Sequence, residues 1–273
     1  MEEHFYFKNS SSKELFGVIH NSEEASSKGV LICHPLFEEK LHVHRVLVDF
    51  SRCLSLSGLS VMRFDYYGDG DSSGDFVEAT VETRLSDIGS ALEFFRKKAH
   101  LQKIAVLGVR FGATLGSIFS EKGYSIDSLV LWAPVTNGSE YLQEILRMNL
   151  VNQVTVYKKV LHSREDLIKG LKEGKNINVE GYEITRELYE QISSVDLLAA
   201  DKNFTGRTLL VQPAKNSERA NPDFEKLTAL YSNGDVCELQ RSTTCPFWSD
   251  MRHYPPLTSD LFDKTLSWIK KNL

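Results

Sequence analysis

From residue 29 onward, short unbroken apolar runs alternate with longer stretches whose apolar residues recur every three or four positions. Gly29–Cys33 is such a run, as is Ser128–Trp132, and neither shows the in–out alternation of a strand with one wet face. A strand reads this way when both of its faces are buried. Between these runs, His44–Ser57 places Val46, Leu47, Phe50, Cys53 and Leu54 at helical spacing before Gly58. Thr80–Lys98 does the same with Leu85, Ile88, Leu92 and Phe95. Strands are expected at Leu59–Phe64, Ile104–Leu107, Thr208–Gln212 and Asp235–Gln240, and helices at Gly112–Glu121, Asp223–Tyr231 and Ser259–Lys271. Alternation of this kind implies βαβ units, right-handed crossovers and a mostly parallel sheet. An opening β-hairpin, His4–Lys8 with Leu15–His20, precedes it.

Asn137–Asp201 breaks the rhythm. It is polar, with helical stretches near Tyr141–Val151 and Thr185–Ile192 and no buried-strand run. We read residues 1–273 as one domain, with about 137–201 inserted as a helical cap over the sheet's carboxyl edge.

Composition narrows the function classes. A net charge of −5 on 273 residues provides no basic footprint for nucleic acid. Lys158, Lys159, Lys169, Lys172 and Lys175 are interleaved with apolar residues and read as a solvated helix surface rather than an anion or partner patch. No apolar stretch approaches the ~18 residues that span a bilayer. The acidic start MEEHFYFKN lacks the basic-then-apolar pattern of a secretory signal. Four cysteines show neither C-x-x-C nor disulfide-framework spacing, so a reduced, cytoplasmic protein is expected. Nothing in the sequence calls for a metal or cofactor, and a homo-oligomer remains open.

In open α/β sheets, ligands bind beyond the carboxyl ends of the strands, and four segments converge there. The first is Gly108-Val109-Arg110-Phe111-Gly112-Ala113. A strand, a five-residue turn with glycine at both ends and then a helix is the geometry of a nucleophile elbow, whose central residue is strained and exposed. That residue here is Arg110, and a guanidinium is permanently charged and no nucleophile. Three roles stay open: an internal ion pair in a dead site, an anion grip, or electrophilic catalysis.

The second segment, Cys33-His34-Pro35-Leu36-Phe37-Glu38-Glu39, lies where an oxyanion-hole amide is expected. Pro35 has no N–H, so Leu36 would donate, together with Phe111. His34 is either structural or a proton carrier; Glu38 and Glu39 are candidates to face Arg110; Cys33 is core. The third, Asp65-Tyr66-Tyr67-Gly68-Asp69-Gly70-Asp71-Ser72-Ser73-Gly74, is a loop whose Asp65 and Ser72 tie it to its own backbone, with Asp71 as a second possible partner of Arg110. The fourth, Cys245–His253, offers Trp248 as pocket wall or core cap and His253 as a base or a surface residue. Where a triad acid would follow the preceding strand, Gln212–Glu218 holds only Glu218.

At these residues the chain resembles α/β-hydrolases of the serine-aminopeptidase-like group. More closely, it resembles the hydrolase-like proteins associated with the exosortase A system of exopolysaccharide-producing bacteria. The motifs run from Cys33-His34-Pro35 with Glu38-Glu39, through the Asp65–Phe76 loop, the Arg110 elbow and Glu180-Gly181-Tyr182, to Pro246-Phe247-Trp248. The likeness spans roughly residues 29 to 272, and one branch of the group also carries arginine at the elbow. It implies an α/β-hydrolase sheet of about eight strands with a helical cap, and Tyr182 near the substrate. Two functions follow as expectations. One is hydrolysis of an acyl, ester or peptide-like substrate by non-serine chemistry, with water activated by His34, Glu38 or His253. The other is a catalytically silent protein that binds a small anion or a protein partner.

Overall fold

The computed structural model describes residues 1–23, 26–199, 201–214, 219–231, 236–249 and 259–273. Two antiparallel strands, β1 (Glu2–Lys8) and β2 (Glu14–His20), lead into β3 (Lys28–Cys33), α1 (Glu38–Leu56), β4 (Ser60–Phe64), α2 (Val81–Lys98) and β5 (Lys103–Val109). Then follow α3 (Phe111–Ser120), β6 (Ser128–Trp132), α4 (Gly138–Tyr157), α5 (Arg164–Lys172), β7 (Ile177–Val179), β8 (Tyr182–Ile184) and α6 (Arg186–Ser193). The chain closes with β9 (Arg207–Pro213), α7 (Pro222–Tyr231), β10 (Cys237–Ser242) and α8 (Ser259–Asn272).

Among the described residues the main sheet has eight strands in the order β1-β2-β4-β3-β5-β6-β9-β10. From β4 to β10 every pairing is parallel; β1–β2 and β2–β4 are antiparallel. This is the expected α/β-hydrolase sheet.

The unbroken apolar runs have a direct cause. Leu31, Val106, Leu129 and Leu131 pack into one core, while Val30, Ile32, Ala105, Leu107, Val130 and Trp132 pack into the other, on the opposite face. Neighbours in one strand therefore serve two cores, each such side chain contributing roughly 1.5–3 kcal/mol of burial. The second core is closed by α1 and α8 through Phe50, Leu54, Leu261 and Ile269.

Two boundaries differ from expectation. Helix α1 begins at Glu38, six residues before His44, because Phe37 turns the chain at positive φ (54°) and three charged residues fill the first turn. Between α5 and α6 the chain also forms the small β7–β8 hairpin, where no strand was expected; Glu180 and Gly181 both take positive φ (55° and 95°) at its turn.

Candidate functional site around Arg110

The elbow is built as its glycines require. A Cβ on Gly108 would overlap the backbone of Gly112 and Ala113, and one on Gly112 would overlap the carbonyl oxygens of Cys33 and His34. Between them Arg110 stands at φ 53°, ψ −122°, capping α3 without a side-chain hydrogen bond to the helix. A non-glycine residue held there stores about 1–3 kcal/mol.

The guanidinium is held by two carboxylates. Its Nε donates to Glu39 Oε1 at 2.9 Å and its Nη2 to Glu144 Oε2 at 3.2 Å. Tyr141 donates its hydroxyl to the other Glu39 oxygen at 3.1 Å. The Arg110 carbon lies 5.1 Å from the Trp248 ring centroid and 5.7 Å from that of Tyr141. Burial pushes the Glu39 carboxyl up, against the opposing pull of Arg110 and Tyr141, and Glu144 adds to the rise. For Arg110 burial acts downward, but Glu39 above all, with Tyr141 and Glu144, outweighs it and holds its pKa above the ordinary value.

Beside this group opens a cleft of about 710 Å³, within the ~300–1,000 Å³ range usual for small-ligand sites. Arg110 is not among its lining residues, but its partners Glu39, Glu144 and Trp248 are, as are Glu38, His42 and Glu180. His42 Nδ1 donates to the Trp248 carbonyl at 2.7 Å, fixing that loop against α1.

The other residues singled out by sequence fall in different places. His34 is buried away from this group: Nδ1 donates to the Pro35 carbonyl at 2.7 Å, and Nε2 lies 3.8 Å from Asp65. Lys40 bridges Asp65 (2.8 Å) and Asp69 (2.9 Å), and fully buried Arg84 lies 3.6 Å from Asp69. Asp71 is exposed and gives its backbone N–H to Asp65; it is not among the partners of Arg110, whose carboxylates come from α1 and α4. Ser72 donates to the Asp65 carbonyl at 2.6 Å and accepts the Phe16 amide at 2.9 Å, so this loop is tied to its own backbone and to β2. Leu36 and Phe111 are buried, Phe111 opening α3, where the first amides have no acceptor within the helix. Tyr182 packs against Phe37 (5.7 Å) and Phe76 (5.2 Å) rather than Arg110. His253 and Glu218 lie outside the described residues.

Sequence reasoning did not find Tyr141 and Glu144. They sit three positions apart on α4 and so share a face, but nothing local announces that this face meets the elbow.

Desolvation pushes the His34 ring down to about 4, with Lys40 adding to the fall and Asp69 and Asp65 opposing it. Between pH 6.5 and about 4 the unfolded chain takes up this proton while the folded one does not, so stability present above pH 6.5 is lost on acidification. The loss should be of order 3 kcal/mol. Urea midpoints measured across that window should fall, and His34→Asn should show a flatter fall; an equal slope in both proteins would refute the assignment.

The comparisons with known proteins bear on the scaffold. The family model described as serine aminopeptidase, S33, matches residues 25–225. No curated protein matches the chain. A putative hydrolase of Agrobacterium vitis is similar with a TM-score of 0.67 at 16% identity, over 99% of this chain and 98% of that one. An esterase of Pyrococcus furiosus gives 0.66 at 15%, over 100% and 91%. Est1E of Butyrivibrio proteoclasticus, in a structure with ferulic acid bound, gives 0.65 at 16%, over 98% and 96%. Among the described residues no helix is long and apolar enough to cross a membrane.

Proposed function

Because the chain belongs to the serine aminopeptidase S33 family of α/β-hydrolases, we infer that it uses this scaffold to bind a small ligand in the cleft beside Arg110, without nucleophilic-serine catalysis. One observation carries the reading: the side chain at the tip of the elbow is a guanidinium held by Glu39 and Glu144 at 2.9 and 3.2 Å. A guanidinium cannot form an acyl intermediate. With two carboxylates beside it the charge of Arg110 is already compensated, which weighs against the anion-grip role.

The chemistry that would replace a serine lacks support from the neighbouring groups. His34 is buried, and its depressed basicity suits a structural ring rather than a general base. Ser249 lines the cleft but donates its hydroxyl to the Pro246 carbonyl at 2.8 Å, not to an imidazole. Glu38 is half-buried at the cleft wall, where it serves binding as readily as catalysis.

A fluorophosphonate probe should leave the native protein unlabelled, and short-chain p-nitrophenyl esters should be turned over no faster than by Arg110→Ala. Covalent labelling, or a turnover that disappears in Arg110→Ala, would defeat this reading.

A further inference from the structure

We propose that the cleft takes an amphiphilic cation, a primary ammonium group on a hydrocarbon body, with the nitrogen at the Glu38–Glu39–Glu144–Glu180 end. The proposal deepens the preceding reading and rests on it.

The cavity has two dissimilar ends. At one, four carboxylates contribute to the lining, and among the described residues no lysine or arginine does. The neighbouring cation, Arg110, is already shared by two of the four. The carboxylates act on one another accordingly. Burial pushes the Glu180 carboxyl up against the hydrogen bond it accepts from Asn152, and the charge of Glu38 adds to the rise, while Glu144 does the same to Glu39. A positive charge placed here relieves that repulsion; a carboxylate or phosphate would increase it.

At the other end the wall is apolar. Met148, Val156, Tyr157 and Leu161 line it while remaining 41%, 67%, 57% and 44% exposed. Seven of the twelve large apolar side chains exposed among the described residues fall between positions 148 and 161, and these four of the seven line the cleft. An alkyl chain laid along it covers apolar area that water otherwise meets. Trp248, beside Arg110 at the carboxylate end, supplies an aromatic face to an ammonium group, an arrangement worth most when partly desolvated.

The test uses three probes of one shape and different charge, n-octylamine, n-octanol and n-octanoate, each below its aggregation limit. Binding is followed by tryptophan fluorescence and by melting temperature at pH 7.5 and low salt. Octylamine should bind about tenfold more tightly than octanol, and octanoate most weakly. Glu144→Gln should reduce the preference for amine over alcohol several-fold. So should Glu38→Gln, which leaves the Arg110 contacts in place. Equal binding of amine and alcohol would overturn the charge assignment yet leave a ligand-binding cleft standing. Octanoate binding as well as octylamine would overturn it outright. If none of the three binds, both this proposal and the cleft as a small-ligand site fall.

Discussion

Glu39→Gln should lower the unfolding free energy by about 2–3 kcal/mol, the lower end of what breaking a buried ion pair costs. The melting temperature should fall by roughly 5–10 °C for a domain of this size. The carboxylate and the guanidinium are both largely withdrawn from water, at 9% and 13% side-chain exposure. Removing the charge of Glu39 leaves Arg110 with Glu144 alone, a partner that is half exposed. The same change takes a charged acceptor from the buried Tyr141 hydroxyl. Replacing both members with apolar residues of similar size, Glu39→Leu with Arg110→Met, should recover part of the loss, because the two buried charges are removed together and the Glu144 left behind is half exposed to water. Glu144→Gln alone should cost less than about 1 kcal/mol, being closer to a surface pair. Thermal unfolding of the native protein, Glu39→Leu, Arg110→Met and the double variant closes the cycle and gives the coupling energy. Additive losses in the double variant would show that Glu39 and Arg110 do not act on each other.

Gly112→Ala should be worse still, costing more than about 4 kcal/mol or leaving no soluble protein. The new methyl carbon would run into the carbonyl oxygens of Cys33 and His34, which are backbone at the end of a central strand and have nowhere to go. Gly116 in the same helix is the internal control. A Cβ there meets Leu129 and Val106 at 3.5 Å, an ordinary contact. Gly116→Ala should therefore be neutral or stabilise by up to about 1 kcal/mol, because alanine loses less conformational freedom in a helix. Urea unfolding of the two variants separates the predictions; similar stability in both would mean that the elbow is not closed as described.

Much of the sheet was legible because β3, β5 and β6 each feed two cores, and a strand buried on both faces leaves an uninterrupted apolar run. The elbow was legible because close backbone approach at Gly108 and Gly112 leaves glycine as the residue that fits. Helix α1 was placed too late because its first turn, Glu38-Glu39-Lys40, carries site and loop contacts instead of an apolar stripe. The β7–β8 hairpin went unread because three-residue strands are too short to show a period. The acid partners were half readable. Glu39 was among the candidates because the chain after β3 must end near the elbow, whereas Glu144 depends on how α4 crosses the sheet, a tertiary matter with no local signature.

Arg110 joins four stretches that are distant along the chain: the start of α1 at Glu39, the elbow, α4 at Tyr141 and Glu144, and the loop holding Trp248. Its two ionic ties respond differently to dissolved salt. The Glu39 tie is largely withdrawn from bulk ions, whereas the Glu144 side chain, 52% exposed, lies within their reach. Ionic strength thus weakens the Glu144 tie while sparing the Glu39 tie, and α4 keeps its place at the elbow through buried Tyr141, whose hydroxyl is bonded to Glu39.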